Sequence, residues 1–360
     1  MATLSVRDLE FGIDVSKFAA ASPAEERGVS RDKVKMLVID RALGNFKHTQ
    51  FQSIPDFFEP GDVVIVNTSM TIPARLLAKS QGQMHIIHLA ARFSATRFMI
   101  ERRDEFGEAD SQAWEAEEII DIVQSGASGF TDEQFPGHLK VIRRFHPNSR
   151  LWEVESNVDL YQLAQTIGCP IRYSYVKQET KTSDYATIFG RVPGSAEMPS
   201  ASRPFTKGIL RRLAARGVKV VSITLHTSVS SHEVERDLSS HPVLPEWFSV
   251  SPQAASVINE AKAGGHRLVA VGTTAVRAVE SAVDQSGRVQ PKEGWTTRII
   301  TPSSPPQVIT SLVTGMHDNH SSHLALMYAF ISPALLRRAY HQAADAGYLW
   351  HEFGDMSLVL

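Results

Sequence analysis

Beyond about residue 160 the chain switches repeatedly between two hydrophobic periods, and such a chain builds a sheet with helices laid against it. Lys207 to Arg216 carries apolar residues at helical spacing and stops at Gly217, after which Val218 to Leu225 alternates as a strand. The pattern returns with Pro252 to Ala263 as a helix closed by Gly264-Gly265, and with Arg267 to Val271 as a strand. Thr274 to Asp284 then reads as a helix opening directly behind Gly272. This half is α/β.

The first 76 residues read differently. Met36 to Ile39 form an apolar strand, Arg41 to Asn45 a turn, and Phe46-Lys47-His48 the return arm of a hairpin. Pro60-Gly61-Asp62 marks a further turn before the buried strand Val63 to Val66. Residues 77 to 160 differ again. Alternation around Met84 to Leu89 and Arg97 to Ile100, an acidic stretch from Glu101 to Asp121, a turn-rich Ser125 to Gly129, and the pairs Val141-Ile142 and Leu151 to Val154 suggest antiparallel strands in a separate β-rich insert. The expected division is a discontinuous main domain over 1–76 and 161–360 with an inserted domain over 77–160.

With 42% hydrophobic and 21% charged residues, the 360-residue chain can bury a large core. Its longest apolar runs, such as Val63 to Val66 and Leu268 to Val271, fall far short of the roughly 20 residues that span a bilayer. No membrane partner is expected. The opening residues lack the apolar segment of a secretory signal, so a cytoplasmic location is expected. The single cysteine, Cys169, excludes an intrachain disulfide and a cysteine-based zinc site, and reads as a small buried hydrophobe. No metal is expected. A net charge of −2 argues against nucleic-acid binding by a general basic surface. Arg143-Arg144, Arg211-Arg212 with Arg216, and Arg337-Arg338 are local candidates for phosphate contact, or ordinary solvated faces.

The segment richest in chemistry is His266 to Ser281, a strand, a glycine turn and a helix whose first turn carries Thr273 and Thr274. Free N–H groups at a helix start, two hydroxyls and Arg277 one turn further on would suit a carboxylate or phosphate. The same residues also fit a threonine N-cap with Arg277 in an ion pair to Glu280 or Glu246. Neither Gly-x-Gly-x-x-Gly nor a Walker-type loop is present, so dinucleotide and P-loop readings lack support.

This run resembles the block Arg-Val-Ile-Ala-Val-Gly-Thr-Thr-Ser-Val-Arg-x-Leu-Glu-Ser of the S-adenosylmethionine:tRNA ribosyltransferase-isomerases of queuosine synthesis. Further matches follow in order: His48, Phe51, Asp56 and Pro60-Gly61-Asp62, then Ile72-Pro73-Ala74-Arg75-Leu76, Leu225-His226, Val313-Thr314 with His317, and Gly354-Asp355. The resemblance implies an α/β main domain containing a β-barrel-like core with flanking helices, interrupted by a smaller all-β, barrel-like domain. It also implies transfer and isomerisation of the ribosyl group of S-adenosylmethionine onto a 7-aminomethyl-7-deazaguanine, with loss of adenine and methionine. Such chemistry needs a base for the carbon beside the sulfonium, an acid for departing adenine and a carboxylate site. His226, His317 and Asp355 are the catalytic candidates. Arg75, Gly272, Thr273, Thr274, Arg277 and Glu280 are the substrate-binding candidates.

The departures from the family pattern fall within motifs. Asn-Asp-Thr-Arg-Val-Ile-Pro becomes Asn67-Thr68-Ser69-Met70-Thr71-Ile72-Pro73, which removes a carboxylate and a guanidinium together. Ala-Pro-Thr-Ala-Gly-Leu-His-Phe-Thr becomes Met198 to Thr206, with Ser202 for glycine and Pro204 for histidine. The Gly-x-Gly-Thr-Phe after Leu-His is replaced by Thr227 to Ser231, and the His-x-x-His-Ser-Glu motif keeps His241 and Glu246 around Leu244-Pro245. His317, His320 and His323 stand three apart, a spacing that on one helix brings side chains together. These changes point to a divergent relative with a changed acceptor, either tRNA or a small nucleoside. The alternatives are a non-catalytic S-adenosylmethionine- or nucleoside-binding paralogue, and an enzyme that cleaves S-adenosylmethionine without nucleic acid.

Overall fold

The computed structural model describes residues 4–360 except 111, 125–133, 148, 177, 179, 230–233 and 235. A hairpin of β1 (Lys35–Asp40) and β2 (Asn45–Gln50) leads to β3 (Val63–Asn67) and the short β4 (Ser69–Thr71). Six strands follow: β5 (Arg75–Ser80), β6 (Gln83–Arg92), β7 (Arg97–Arg103), β8 (Ile119–Gln124), β9 (Gln134–Arg144) and β10 (Leu151–Ser156). The chain continues through α1 (Leu160–Ile167), β11 (Val192–Ser195), α2 (Lys207–Ala215), β12 (Lys219–Leu225), β13 (Glu246–Val250), α3 (Pro252–Ala263), β14 (Leu268–Val271) and α4 (Thr273–Ser281). It ends with β15 (Lys292–Thr296), β16 (Ser311–Gly315), α5 (Ser322–Met327), α6 (Pro333–Asp345) and β17 (Met356–Val359).

Nine strands form one mixed sheet in the order β15-β13-β12-β3-β14-β16-β17-β1-β2, in which β12, β3, β14 and β16 run parallel. The barrel-like core expected of the main domain takes this form, with helices on both faces. Every residue of β3 is buried, as a strand central to a doubly covered parallel sheet requires, which is why Val63 to Val66 is uninterruptedly apolar. On one face α3, α4 and α6 bury Ile258, Val279 and Tyr340 against Ile65, Leu268 and Leu312. On the other, α2 and the turn at Phe51–Phe57 bury Leu213, Ile209 and Phe51 against Val64, Val66 and Val271.

The six strands β5 to β10 close into a barrel in the order β10-β7-β6-β5-β8-β9, so that no sheet edge is left open there. Its interior holds Leu76, Ile100, Ile122 and Val154. The Ser125 to Gly129 turn lies outside the described residues.

Two local expectations need correction. Helix α4 ends at Ser281, not Asp284, because the Asp284 side chain accepts the backbone N–H groups of Ser286 and Arg288 and turns the chain into a tight loop. Cys169 is exposed, not buried. Its backbone bridges to Arg75 in both directions, at 2.8 and 2.9 Å, and this edge pairing directs the thiol outward.

Candidate functional site

Strand β14 ends in Gly272, whose φ of +85° lets the chain reverse into α4 without a side-chain penalty. Gly272 is itself the N-cap of α4. The threonine cap that the sequence allowed is not formed, because Gly272 has no side chain to offer and the Thr273 and Thr274 hydroxyls sit one position too late. The first N–H groups of α4 therefore lack the intrahelical partners that later turns enjoy. They open onto a cleft of about 550 Å³ lined by Gly272, Thr273 and Thr274.

The cleft lies between the main sheet and the barrel. Arg103 and Arg150 reach it from the barrel side, each in an ion pair with the buried Glu101, at 2.9 and 3.3 Å. A volume in this range suits a nucleoside-sized ligand. One wall is aromatic: Tyr173 stacks on Tyr175 at 5.8 Å, and Tyr175 stacks on His351 at 4.1 Å with the rings 12° apart. Tyr173 donates its hydroxyl to Glu197, and His351 pairs with Asp318 at 3.2 Å. Glu352 completes this wall.

His317 stands in the cleft, its Nε2 2.8 Å from the Thr314 hydroxyl and its ring stacked on His323 at 5.1 Å. Burial drives His317 well below the usual imidazole range, and His323 falls to about 4 through burial and the nearby Arg277 charge. Both rings are neutral near pH 7. His320 does not join them: α5 begins only at Ser322, so His317 and His320 precede the helix, and His320 adopts a φ of +61°. The spacing of three has no helix to act on. Among the described residues no group of three or more metal-ligating side chains converges.

The other candidates lie elsewhere. His226 caps the end of β12, its Nδ1 2.7 Å from the Ser69 hydroxyl and its ring stacked on Trp247 at 5.2 Å, and it is separated from the cleft by Thr227. Burial lowers its pKa to about 4. Asp355 uses both carboxylate oxygens on backbone N–H groups, of Lys35 at 2.6 Å and Leu349 at 2.8 Å, and is not in the cleft wall. Glu280 is fully buried and accepts from the N–H groups of Gln307, Val308 and Ile309, each at 2.9 Å. Arg75 lines a separate cavity of about 440 Å³ beside Cys169.

Arg277 adjoins the cleft in a smaller pocket of about 110 Å³, where it pairs with Glu246 and donates to the Arg298 carbonyl at 3.1 Å. Of the alternatives open for this residue, the structure forms the ion pair to Glu246. The three basic clusters are likewise engaged: Arg143 with Glu153, Arg212 with Asp56, and Arg337 with the Glu10 carbonyl. None of these lines the cleft.

Sequence reasoning missed Tyr173, Tyr175, Glu197, His351 and Glu352. The first three sit in an irregular connection with no periodic signal. His351 and Glu352 stand one residue, Phe353, ahead of the Gly354-Asp355 pair, and that proximity was the only available pointer.

A large helix-covered sheet joined to a closed barrel, with a ring-lined cleft of nucleoside-sized volume at a helix N-terminus, defines the class of the fold. The chain belongs to the family described as queuosine biosynthesis protein, whose family model matches residues 6–359. It is 33% identical to the S-adenosylmethionine:tRNA ribosyltransferase-isomerase of Symbiobacterium thermophilum over 98% of this chain and 99% of that one. It is 30% identical to the protein of the same name from Desulforamulus reducens, over 94% and 96%. The crystal structure of S-adenosylmethionine tRNA ribosyltransferase from Thermotoga maritima aligns with a TM-score of 0.51 at 22% identity, covering 96% of this chain and 97% of that one. That likeness extends to the fold. Among the described residues no helix is long and apolar enough to cross a membrane.

Proposed function

We propose that this protein is a ribosyltransferase-isomerase that takes S-adenosylmethionine as ribosyl donor, releases adenine and methionine, and serves a small amine-bearing nucleoside in place of a tRNA-borne base. The single observation that carries the donor assignment is the Gly272–Thr274 corner, which sets a helix N-terminus and Thr273 on a nucleoside-sized cleft, the Thr274 hydroxyl accepting from the Asn67 amide at 3.3 Å. A methionyl carboxylate is the anion that such a corner suits. His317 and His323 are neutral imidazoles lining the cleft, and His317 is the proposed base for the carbon beside the sulfonium.

The changed acceptor rests on charge. Glu197 and Asp318 line the cleft, while Arg103 and Arg150 are paired to Glu101. A polyphosphate backbone is attracted by surplus Lys and Arg, and acids at the mouth of a site oppose it. The family's motif charges are also missing where Thr68 now bonds Thr224 at 2.9 Å and Met70 packs on Gly190.

The test is adenine release from S-adenosylmethionine in three arms: enzyme alone, enzyme with the free 7-aminomethyl-7-deazaguanine nucleoside, and enzyme with tRNA carrying that base. Release that depends on the free nucleoside is the expected result. A rate with tRNA far above that with the nucleoside overturns the acceptor assignment, and binding without release in any arm identifies a non-catalytic binder. Equal release in all three arms identifies an enzyme that cleaves the donor without nucleic acid.

A further inference from the structure

The proposed reaction expels adenine, and a purine departs readily only when a ring nitrogen receives a proton as the glycosidic bond breaks. We propose that Glu352 is the general acid that delivers this proton, from the aromatic wall of the cleft. The inference rests on the donor assignment made above and names a residue for one step of it.

The geometry is that of an acid held neutral beside a ring platform. Glu352 lines the same cleft as Gly272 and Thr273, directly after His351 in the chain. The stack of Tyr173, Tyr175 and His351 provides the flat surface on which a purine rests, and base stacking on aromatic rings is favourable whatever the base. Oε1 of Glu352 is sealed from solvent and has no hydrogen-bond partner among the described residues. A bare carboxylate oxygen in that position is costly, whereas a carboxylic acid tolerates it and holds a proton ready to give.

Among the charged groups around Glu352, Glu197 favours the protonated acid and Arg203 opposes it. Glu197 lines the same cleft, with Tyr173 donating to it, and like charges disfavour ionising both acids. Tyr175 and Tyr185 are neutral and shifted upward by burial, with Glu352 contributing. Arg203 and Arg31 lie behind it, in a small hollow beyond the cleft, but both are paired with Glu25, at 2.9 and 2.7 Å. The sum is an acid whose pKa rises to about 8, first through desolvation and then through Glu197. At neutral pH it carries its proton.

In the step itself the O–H bond of Glu352 breaks and an N–H bond forms on the purine. The electron pair of the glycosidic C–N bond moves onto the base, and the ring-oxygen lone pair fills the deficiency at the sugar carbon. Neutral adenine leaves and Glu352 remains as carboxylate, to be reprotonated from solvent when the product departs.

The experiment compares the wild type with Glu352→Gln, which keeps the shape and removes the acidic proton. Donor affinity is measured by titration calorimetry and adenine release as a function of pH. For the wild type, release falls as pH rises through about 8. For Glu352→Gln, donor affinity stays within about threefold, release falls about 100-fold or more, and the alkaline limb disappears. A donor carrying a more acidic purine, which leaves without protonation, recovers most of the lost rate. Infrared spectroscopy of the wild type supplies a measurement independent of the variant's folding: a protonated carboxyl band present at pH 7, lost as pH rises through about 8, and moved to lower pH by Glu197→Gln.

Equal release by Glu352→Gln and wild type overturns the acid role and leaves the donor assignment standing. Absence of the carboxyl band at pH 7 also overturns it. No adenine release by the wild type under any condition overturns both.

Discussion

The guanidinium of Arg277 on α4 closes an ion pair with Glu246 at the start of β13, and the same carboxylate accepts the backbone N–H of Ser228 at 2.9 Å. One glutamate thus ties the helix beneath the ligand corner to the segment that follows β12. The pair is largely shielded, Arg277 being 20% and Glu246 7% exposed at the side chain. Removing one partner leaves the other charge without compensation in a poorly solvated place. Arg277→Ala is expected to lower stability by about 2–3 kcal/mol, below the full cost of breaking a buried pair because Arg277 keeps some solvent. Urea denaturation checks it, and the double variant Arg277→Ala with Glu246→Gln is expected to be less destabilised than the two single losses summed.

Glu280 poses a sharper case, since its carboxylate satisfies three consecutive backbone N–H groups with no exposure at all. Glu280→Ala orphans all three. A loss of about 3–5 kcal/mol is expected, from hydrogen bonds to a charged acceptor and the desolvation of the donors left behind. Glu280→Gln recovers only part, because an amide presents one acceptor oxygen where two are used. A ligand role for Glu280 predicts the opposite: unchanged melting with weakened donor binding.

The corner at Gly272 separates backbone strain from crowding. A Cβ added there meets Ala201 Cβ and Thr274 Oγ1 at 3.5 Å, which is ordinary contact, so the penalty of Gly272→Ala comes from the left-handed φ alone. About 1–2 kcal/mol of stability is expected to be lost. A weaker affinity for S-adenosylmethionine accompanies it, because relaxing the corner turns the first N–H groups of α4 away from the cleft. Thermal unfolding and calorimetric titration on one preparation resolve the two effects.

His323 links stability to acid. Its folded pKa of about 4 lies below the ordinary value of 6.5, so the unfolded chain binds the proton more readily. The stability this group contributes is complete above about pH 6.5 and is lost as pH falls toward about 4, amounting to roughly 3 kcal/mol over that window. His226 adds a slope of the same sign in the same window. Stability measured from pH 7 to pH 4.5 is expected to fall more steeply in the wild type than in His323→Gln, and a slope unchanged by that substitution refutes the assignment.

The elements legible in the sequence were those with strong periods and punctuated ends. The β1–β2 hairpin, β3, α2 and α3 lie where alternation, apolar runs and glycine stops placed them. The Gly272–Thr274 corner was legible too, because a glycine between a strand and a helix has few other uses, and it opens onto the cleft. His317 reached that cleft; Asp355, Glu280 and Arg75 did not. Their residue types suit catalysis and structural clamping equally, and only their neighbours decide between the two. For Asp355 and Glu280 those neighbours are backbone N–H groups from distant segments.

By itself, then, the sequence determined the strongly periodic strands and helices, among them β1, β3, α2 and α3, that the chain is an α/β body with a β-rich insert, and which glycine corner could cradle an anion. Local periodicity and turn chemistry are properties of neighbouring residues, so they are written along the chain. Only the tertiary structure decided that Arg277 is paired to Glu246, that Cys169 is exposed, and that Tyr173, Glu197 and Glu352 line one cleft with Gly272. Those outcomes depend on which distant side chains meet, on how deeply each group is removed from water, and hence on its charge state, none of which is a local property.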